Sequence, residues 1–106
     1  MDRAGFDSIK AEIIIIGRQL LKKGLVTGTW GNISARVTNS DYIAITPSGR
    51  DYKSLSIGEI VVLDLNGGII NGGVPSSETP LHLAIYKNRQ DIKAVVHTHS
   101  VFASAC

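Results

Sequence analysis

Ile60-Val61-Val62-Leu63-Asp64-Leu65-Asn66-Gly67-Gly68-Ile69-Ile70 is the stretch that decides the architecture. Ile60 to Leu65 predicts a strand, and Asn66-Gly67 is a hairpin turn signal, because both residues tolerate positive φ. Ile69-Ile70 then returns alongside, and Gly72-Gly73 ends the second arm. A hairpin makes its two strands antiparallel. Upstream the pattern repeats. Ile33 to Val37 alternates apolar and polar residues as a half-buried strand does, Asn39-Ser40-Asp41 is a turn, and Tyr42 to Ile45 is the second arm. Ile92 to His99 predicts a final strand.

Two helices frame these strands. From Phe6 to Lys23, Ile9, Ile13, Ile16 and Leu20 recur with helical spacing. Lys22-Lys23 followed by Gly24 is a stop signal, with cations in the last turn and then a residue free to take positive φ. The second helix is expected from Glu78 to Asn88, capped by Ser76 or Ser77, with Pro80 in its first turn and Leu81, Ala84, Ile85 and Asn88 on its inner side. The order helix, antiparallel strands, helix, strand defines one α/β domain over residues 1–106, with a largely antiparallel sheet covered by helices.

The bulk numbers exclude several classes. A chain of 106 residues with 43% hydrophobic and 19% charged residues is an ordinary single globular domain. The net charge is +2, and no basic run exceeds Lys22-Lys23, so there is no footprint for nucleic acid. The longest aliphatic block, Ile13 to Ile16, is far too short to span a membrane. One cysteine, Cys106, forms no intrachain disulfide, and no leader pattern is present, so a cytoplasmic setting is expected. Val101 to Cys106 reads as the opening of a helix, which suggests a domain cut short.

Chemistry concentrates at strand ends and helix starts. His97 and His99 are two apart on an expected strand, so both imidazoles point to one face and form half of a divalent-metal site suited to zinc. Held core histidines are the alternative. Pro75-Ser76-Ser77-Glu78 places two hydroxyls and a carboxylate before a helix, where free N–H groups attract an anion, or where Ser simply caps and Glu78 complements the dipole. Gly28-Thr29-Trp30-Gly31-Asn32-Ile33-Ser34 and Thr46-Pro47-Ser48-Gly49 are loops whose N–H groups and hydroxyls suit phosphate, or are plain connectors. Trp30 is read as packing, Cys106 as an inert thiol, and His82 as a surface residue or one standing behind the site.

Gly31-Asn32-Ile33-Ser34, Ile45-Thr46-Pro47-Ser48-Gly49, Pro75-Ser76-Ser77-Glu78 and Val96-His97-Thr98-His99, in this order and spacing, resemble the class II aldolase/adducin family from about Glu12 to Cys106. The resemblance implies a three-layer α/β/α sandwich around a mostly antiparallel sheet. It implies a zinc-dependent enzyme, one Zn2+ per subunit, acting on a sugar phosphate as a homotetramer with sites at subunit interfaces. Gly31, Asn32, Ser48, Gly49, Ser76 and Ser77 would bind the substrate phosphate. His97 and His99 would ligate the metal, and Glu78 would be the catalytic acid/base that also reaches the metal. The reaction implied is cleavage of a ketose 1-phosphate to dihydroxyacetone phosphate and an aldehyde through a zinc-stabilised enediolate.

The family's third metal-binding histidine lies well beyond the His-x-His pair, and this sequence runs seven residues past His99. His82 does not match it, so Glu78 would have to complete the set. A sugar-phosphate 4-epimerase or a dehydratase of the same family is the rival reading. Glu at position 78 favours the aldolases, whereas Thr79-Pro80-Leu81-His82 is similar to the epimerases. An adducin-like scaffold without metal, or an inactive truncated member, stands further off.

Overall fold

A computed structural model describes residues 3–24, 31–38, 40–47 and 54–97. The first helix, α1, spans Arg3–Lys22. It stops where the sequence says it should: Gly24 sits at φ 72° and its N–H bonds the Leu21 carbonyl at 3.1 Å. Its inner side carries Phe6, Ile9, Ile13 and Ile14, with Ile16 and Leu20 packed at the margin and Ile15 exposed.

Five strands follow: β1 (Asn32–Arg36), β2 (Ile43–Ile45), β3 (Val61–Leu63), β4 (Ile69–Asn71) and β5 (Ala94–His97), with helix α2 (Thr79–Asn88) between the last two. The sheet order is β4-β3-β2-β1-β5, and each neighbouring pair is antiparallel. The decisive hairpin forms with a longer loop than a two-residue turn. Asp64 N–H bonds the Gly68 carbonyl at 2.9 Å, Gly67 N–H bonds the Asp64 carbonyl at 3.1 Å, and Gly67 stands at φ 90°. That leaves Leu65, Asn66 and Gly67 as a three-residue loop whose last member is left-handed. The Asp64 carboxylate tightens it by accepting from the Asn66 and Gly68 N–H groups.

The pleat divides the sheet into two faces, both covered at its centre. Ile33, Ala35, Val37, Ala44 and Val62 pack with α1 in one cluster. Ile43 packs with Leu83 and Tyr86 of α2, with Leu65, Ile92 and Val95 around them. Helices on opposite faces of an antiparallel sheet make the three-layer sandwich. Each fully buried aliphatic side chain here contributes about 1.5–3 kcal/mol.

Two expectations need correction. The alternation in β1 does not mark a solvent-facing side, because Ser34 is wholly buried and Asn32 is 4% exposed: α2 covers that face. Nor does α2 turn Leu81, Ala84, Ile85 and Asn88 inward. Its buried residues are Thr79, His82, Leu83 and Tyr86, while Leu81, Ala84 and Asn88 are exposed and Ile85 is half-buried. The inner face is partly polar because it lies on the polar face of β1. Residues 98–106, including the expected short helix after Ser100 and Cys106, lie outside the described residues, as do Gly28, Thr29, Trp30 and Asn39. Among the described residues no helix is long and apolar enough to cross a membrane.

Candidate functional site

Three loops flagged by the sequence meet at one end of the sheet. Gly31 takes φ 93°, a conformation that favours glycine, and delivers the chain into β1 at Asn32. Ile33 N–H bonds the Thr46 hydroxyl at 3.2 Å, and Thr46 N–H bonds the Ile33 carbonyl at 3.0 Å. The Thr46 carbonyl then accepts from Ser76 N–H at 3.1 Å, and Pro47 bridges Pro75. Gly31-Asn32, Thr46-Pro47 and Pro75-Ser76 are thus stitched side by side by backbone hydrogen bonds. Ser48 and Gly49, next after Pro47, lie outside the described residues, as does His99.

The start of α2 departs from the expected cap. Glu78 is the N-cap residue and makes no side-chain cap hydrogen bond. Ser76 works two residues earlier: its hydroxyl accepts from Glu78 N–H at 3.2 Å, and its carbonyl accepts from Thr79 N–H at 3.1 Å and the Thr79 hydroxyl at 2.6 Å. The turn before the helix is therefore held by Ser76, which is buried, while Ser77 is exposed. Glu78 is left half-buried at the helix entrance with its carboxylate unused as a cap.

His82 is not a surface residue. Its side chain is 0% exposed, pressed between α2 and β1. Nδ1 lies 2.5 Å from the Ser34 hydroxyl, and Nε2 pairs with the Asn32 side-chain oxygen. The Tyr86 hydroxyl reaches Ser34 Oγ at 2.8 Å. Burial, then the neighbouring His97 ring, drive the His82 pKa down to about 4, with Glu78 pulling the other way. The imidazole is neutral at pH 7. Burial likewise raises the Tyr86 phenol, against its hydrogen bond with Ser34, the nearby Arg36 charge and the Val95 main chain. The cluster was not read from the sequence, yet a signal exists: Glu78, His82 and Tyr86 are four apart, one helical stripe, and Asn32 and Ser34 are two apart, one strand face.

His97 ends β5 and pairs with Asn32 across the ladder. His97 and Glu78 supply an imidazole nitrogen and a carboxylate oxygen, and their charges shift the buried His82 ring in opposite directions. That donor chemistry suits a divalent ion such as zinc. Among the described residues no three His, Cys, Asp or Glu side chains gather closely enough to hold a metal.

A five-stranded antiparallel sheet between helices, with three polar loops brought together at one end, is an α/β/α scaffold. Comparison of the sequence with known families makes this specific: residues 11–106 match the class II aldolase and adducin N-terminal domain, and the chain belongs to that family. It is 41% identical over 107 residues to a protein of Mycoplasma pneumoniae named "Probable L-ribulose-5-phosphate 4-epimerase UlaF", covering 99% of this chain and 44% of the relative. It is 42% identical over 95 residues to the 5-deoxy-D-ribulose 1-phosphate aldolase of Bacillus thuringiensis serovar kurstaki, covering 89% of this chain and 45% of that protein. The solved structure of an L-fuculose 1-phosphate aldolase superposes with a TM-score of 0.87 at 39% identity, over 92% of this chain and 47% of the other. The chain spans less than half the length of the curated relatives it matches.

Proposed function

We propose that this chain carries the phosphate cradle and part of the metal centre of a sugar-phosphate aldolase, cleaving a ketose 1-phosphate of the fuculose type to dihydroxyacetone phosphate and an aldehyde. The observation that carries this reading is the pairing of His97 with Asn32 in the ladder beside the Gly31 turn, with Glu78 at the entrance of α2, one turn before the His82 that bonds Asn32. Gly31, Asn32, Ser76 and Ser77, with Ser48 and Gly49, are assigned to the phosphate. The cradle combines a glycine turn, an amide and hydroxyls, which offer donors to an anion without a fixed countercharge. Gripping the phosphate holds the reacting carbons in place from a distance.

His97 and His99 are assigned to the metal, with Glu78 within the same set. A divalent ion held there, zinc by its donors, would supply Lewis-acid polarisation of a carbonyl oxygen and so would ease carbon–carbon cleavage. As that bond breaks, the hydroxyl that becomes the aldehyde oxygen gives up its proton to a base, and the bond's electron pair stays on the dihydroxyacetone phosphate half. Glu78 delivers a proton to that carbon, and removes it in the reverse direction. The half-buried carboxylate, unused as a helix cap, suits the task. A homotetramer in the cytoplasm is the assembly and setting proposed with it.

The second reading is a 4-epimerase, favoured by the 41% identity to a relative bearing that name. The experiment that separates the two uses the full-length protein with a ketose 1-phosphate and with a pentulose 5-phosphate, each with and without chelator. Chelator-sensitive release of dihydroxyacetone phosphate from the first substrate supports the aldolase. Interconversion of the second without cleavage replaces it with the epimerase, and turnover that ignores chelator overturns the metal assignment.

A further inference from the structure

The buried chain Tyr86–Ser34–His82–Asn32 has a direction. The carbonyl oxygen of a carboxamide only accepts, so His82 Nε2 must carry the hydrogen it shares with Asn32 Oδ1. A neutral imidazole has one N–H, which leaves Nδ1 as acceptor and makes the Ser34 hydroxyl its donor. Ser34 Oγ then accepts from the Tyr86 hydroxyl. The opposite tautomer would present a lone pair from Nε2, and the Asn32 amide would have to turn over to meet it.

The tautomer therefore decides which end of the Asn32 carboxamide faces away from His82. We propose that His82 is a positioning residue: by holding the Asn32 oxygen from a tautomer set by Ser34 and Tyr86, it leaves the amide NH2 as a donor for the substrate phosphate. This rests on the assignment of Asn32 to the phosphate cradle. An amide turned the other way would offer an oxygen to an anion, so the orientation acts on sign as well as on strength. Asn32 is 4% exposed and begins a strand, so it cannot correct itself by swinging into solvent.

The test uses the full-length protein with its metal, inorganic phosphate as probe, and nitrogen-15 NMR of histidine-labelled protein. His82 should show the neutral tautomer protonated at Nε2, and an Nδ1-protonated ring overturns the proposal without requiring any variant to fold. Asn32→Ala and His82→Leu should each weaken phosphate binding about tenfold, the loss of one hydrogen bond to an anion. The double variant should be no weaker than Asn32→Ala alone, and His82→Gln, which can still donate an N–H, should recover most of the affinity. Additive losses in the double variant overturn the positioning role. If the NMR result holds and Asn32→Ala binds phosphate normally, the phosphate assignment fails, and the proposal fails with it.

Discussion

His97 on β5 stands directly opposite Asn32 on β1, paired across the antiparallel ladder. Facing positions in a ladder point their side chains to one side of the sheet. The residue assigned to the metal and the residue assigned to the phosphate are therefore neighbours by strand register, and the register is held on both sides, by Ile33 with Val96 and Ser34 with Val95.

That adjacency predicts a separable phenotype. His97→Ala should lower bound divalent metal by about tenfold or more while leaving the unfolding midpoint little changed, since the ring is half-buried at a strand end. Metal content by mass spectrometry and a thermal melt check the two halves. Full metal occupancy in the variant contradicts the ligand assignment.

Stability should depend on pH through His82. Its pKa is about 4 folded and near 6.5 when unfolded, so the unfolded chain binds the proton first as pH falls. The contribution is complete above about pH 6.5, shrinks as pH drops below that, and is gone near pH 4, for a loss of about 3 kcal/mol. Urea unfolding at pH 7.5, 6 and 5 reads the slope. His82→Gln, which does not titrate, should be less sensitive over that interval, and an equal slope in both proteins contradicts the assignment.

Gly72 and Gly24 both hold positive φ, at 101° and 72°, but in different surroundings. A Cβ on Gly72 would lie 2.8 Å from the Ile60 carbonyl oxygen and 2.9 Å from Val61 Cα, both backbone, whereas a Cβ on Gly24 meets nothing within 4 Å. Gly72→Ala should cost about 3 kcal/mol and Gly24→Ala about 1 kcal/mol. Chemical denaturation of the pair checks the ranking.

Arg36 ties the end of α2 to the strand connection. Its guanidinium lies 5.1 Å from the Tyr86 ring centroid, and it donates to the Tyr86 carbonyl at 3.2 Å and the Ile92 carbonyl at 3.3 Å. Lysine keeps the charge but loses the fork and the stacking plane. Arg36→Lys should destabilise by about 1–2 kcal/mol. Asp41→Asn should change stability by less than about 0.5 kcal/mol, because its 3.9 Å contact to Arg36 is solvent-exposed.

The sheet and its helices were legible because their signals are local. Asn66-Gly67 marks a turn whatever surrounds it, Gly24 follows a lysine pair at the end of an apolar helical stripe, and four short motifs in order are enough to assign the family. The cap of α2 was misread, because either Ser76 or Ser77 could serve from the sequence alone. In the structure Ser76 holds the preceding turn, and Glu78 occupies the N-cap position.

The amino-acid sequence alone determined where helices, turns and hydroxyl-rich loops fall, since propensity, hydrophobic period and motif spacing all act within a few residues. Only the tertiary structure decided which face of α2 is inside. The apolar period pointed to Leu81 and Ala84, yet Thr79, His82 and Tyr86 are buried, because the surface they cover presents Asn32 and Ser34. A polar stripe is stable inside when an equally polar strand face, 48 to 52 residues away along the chain, satisfies its hydrogen bonds. No local pattern records such a match.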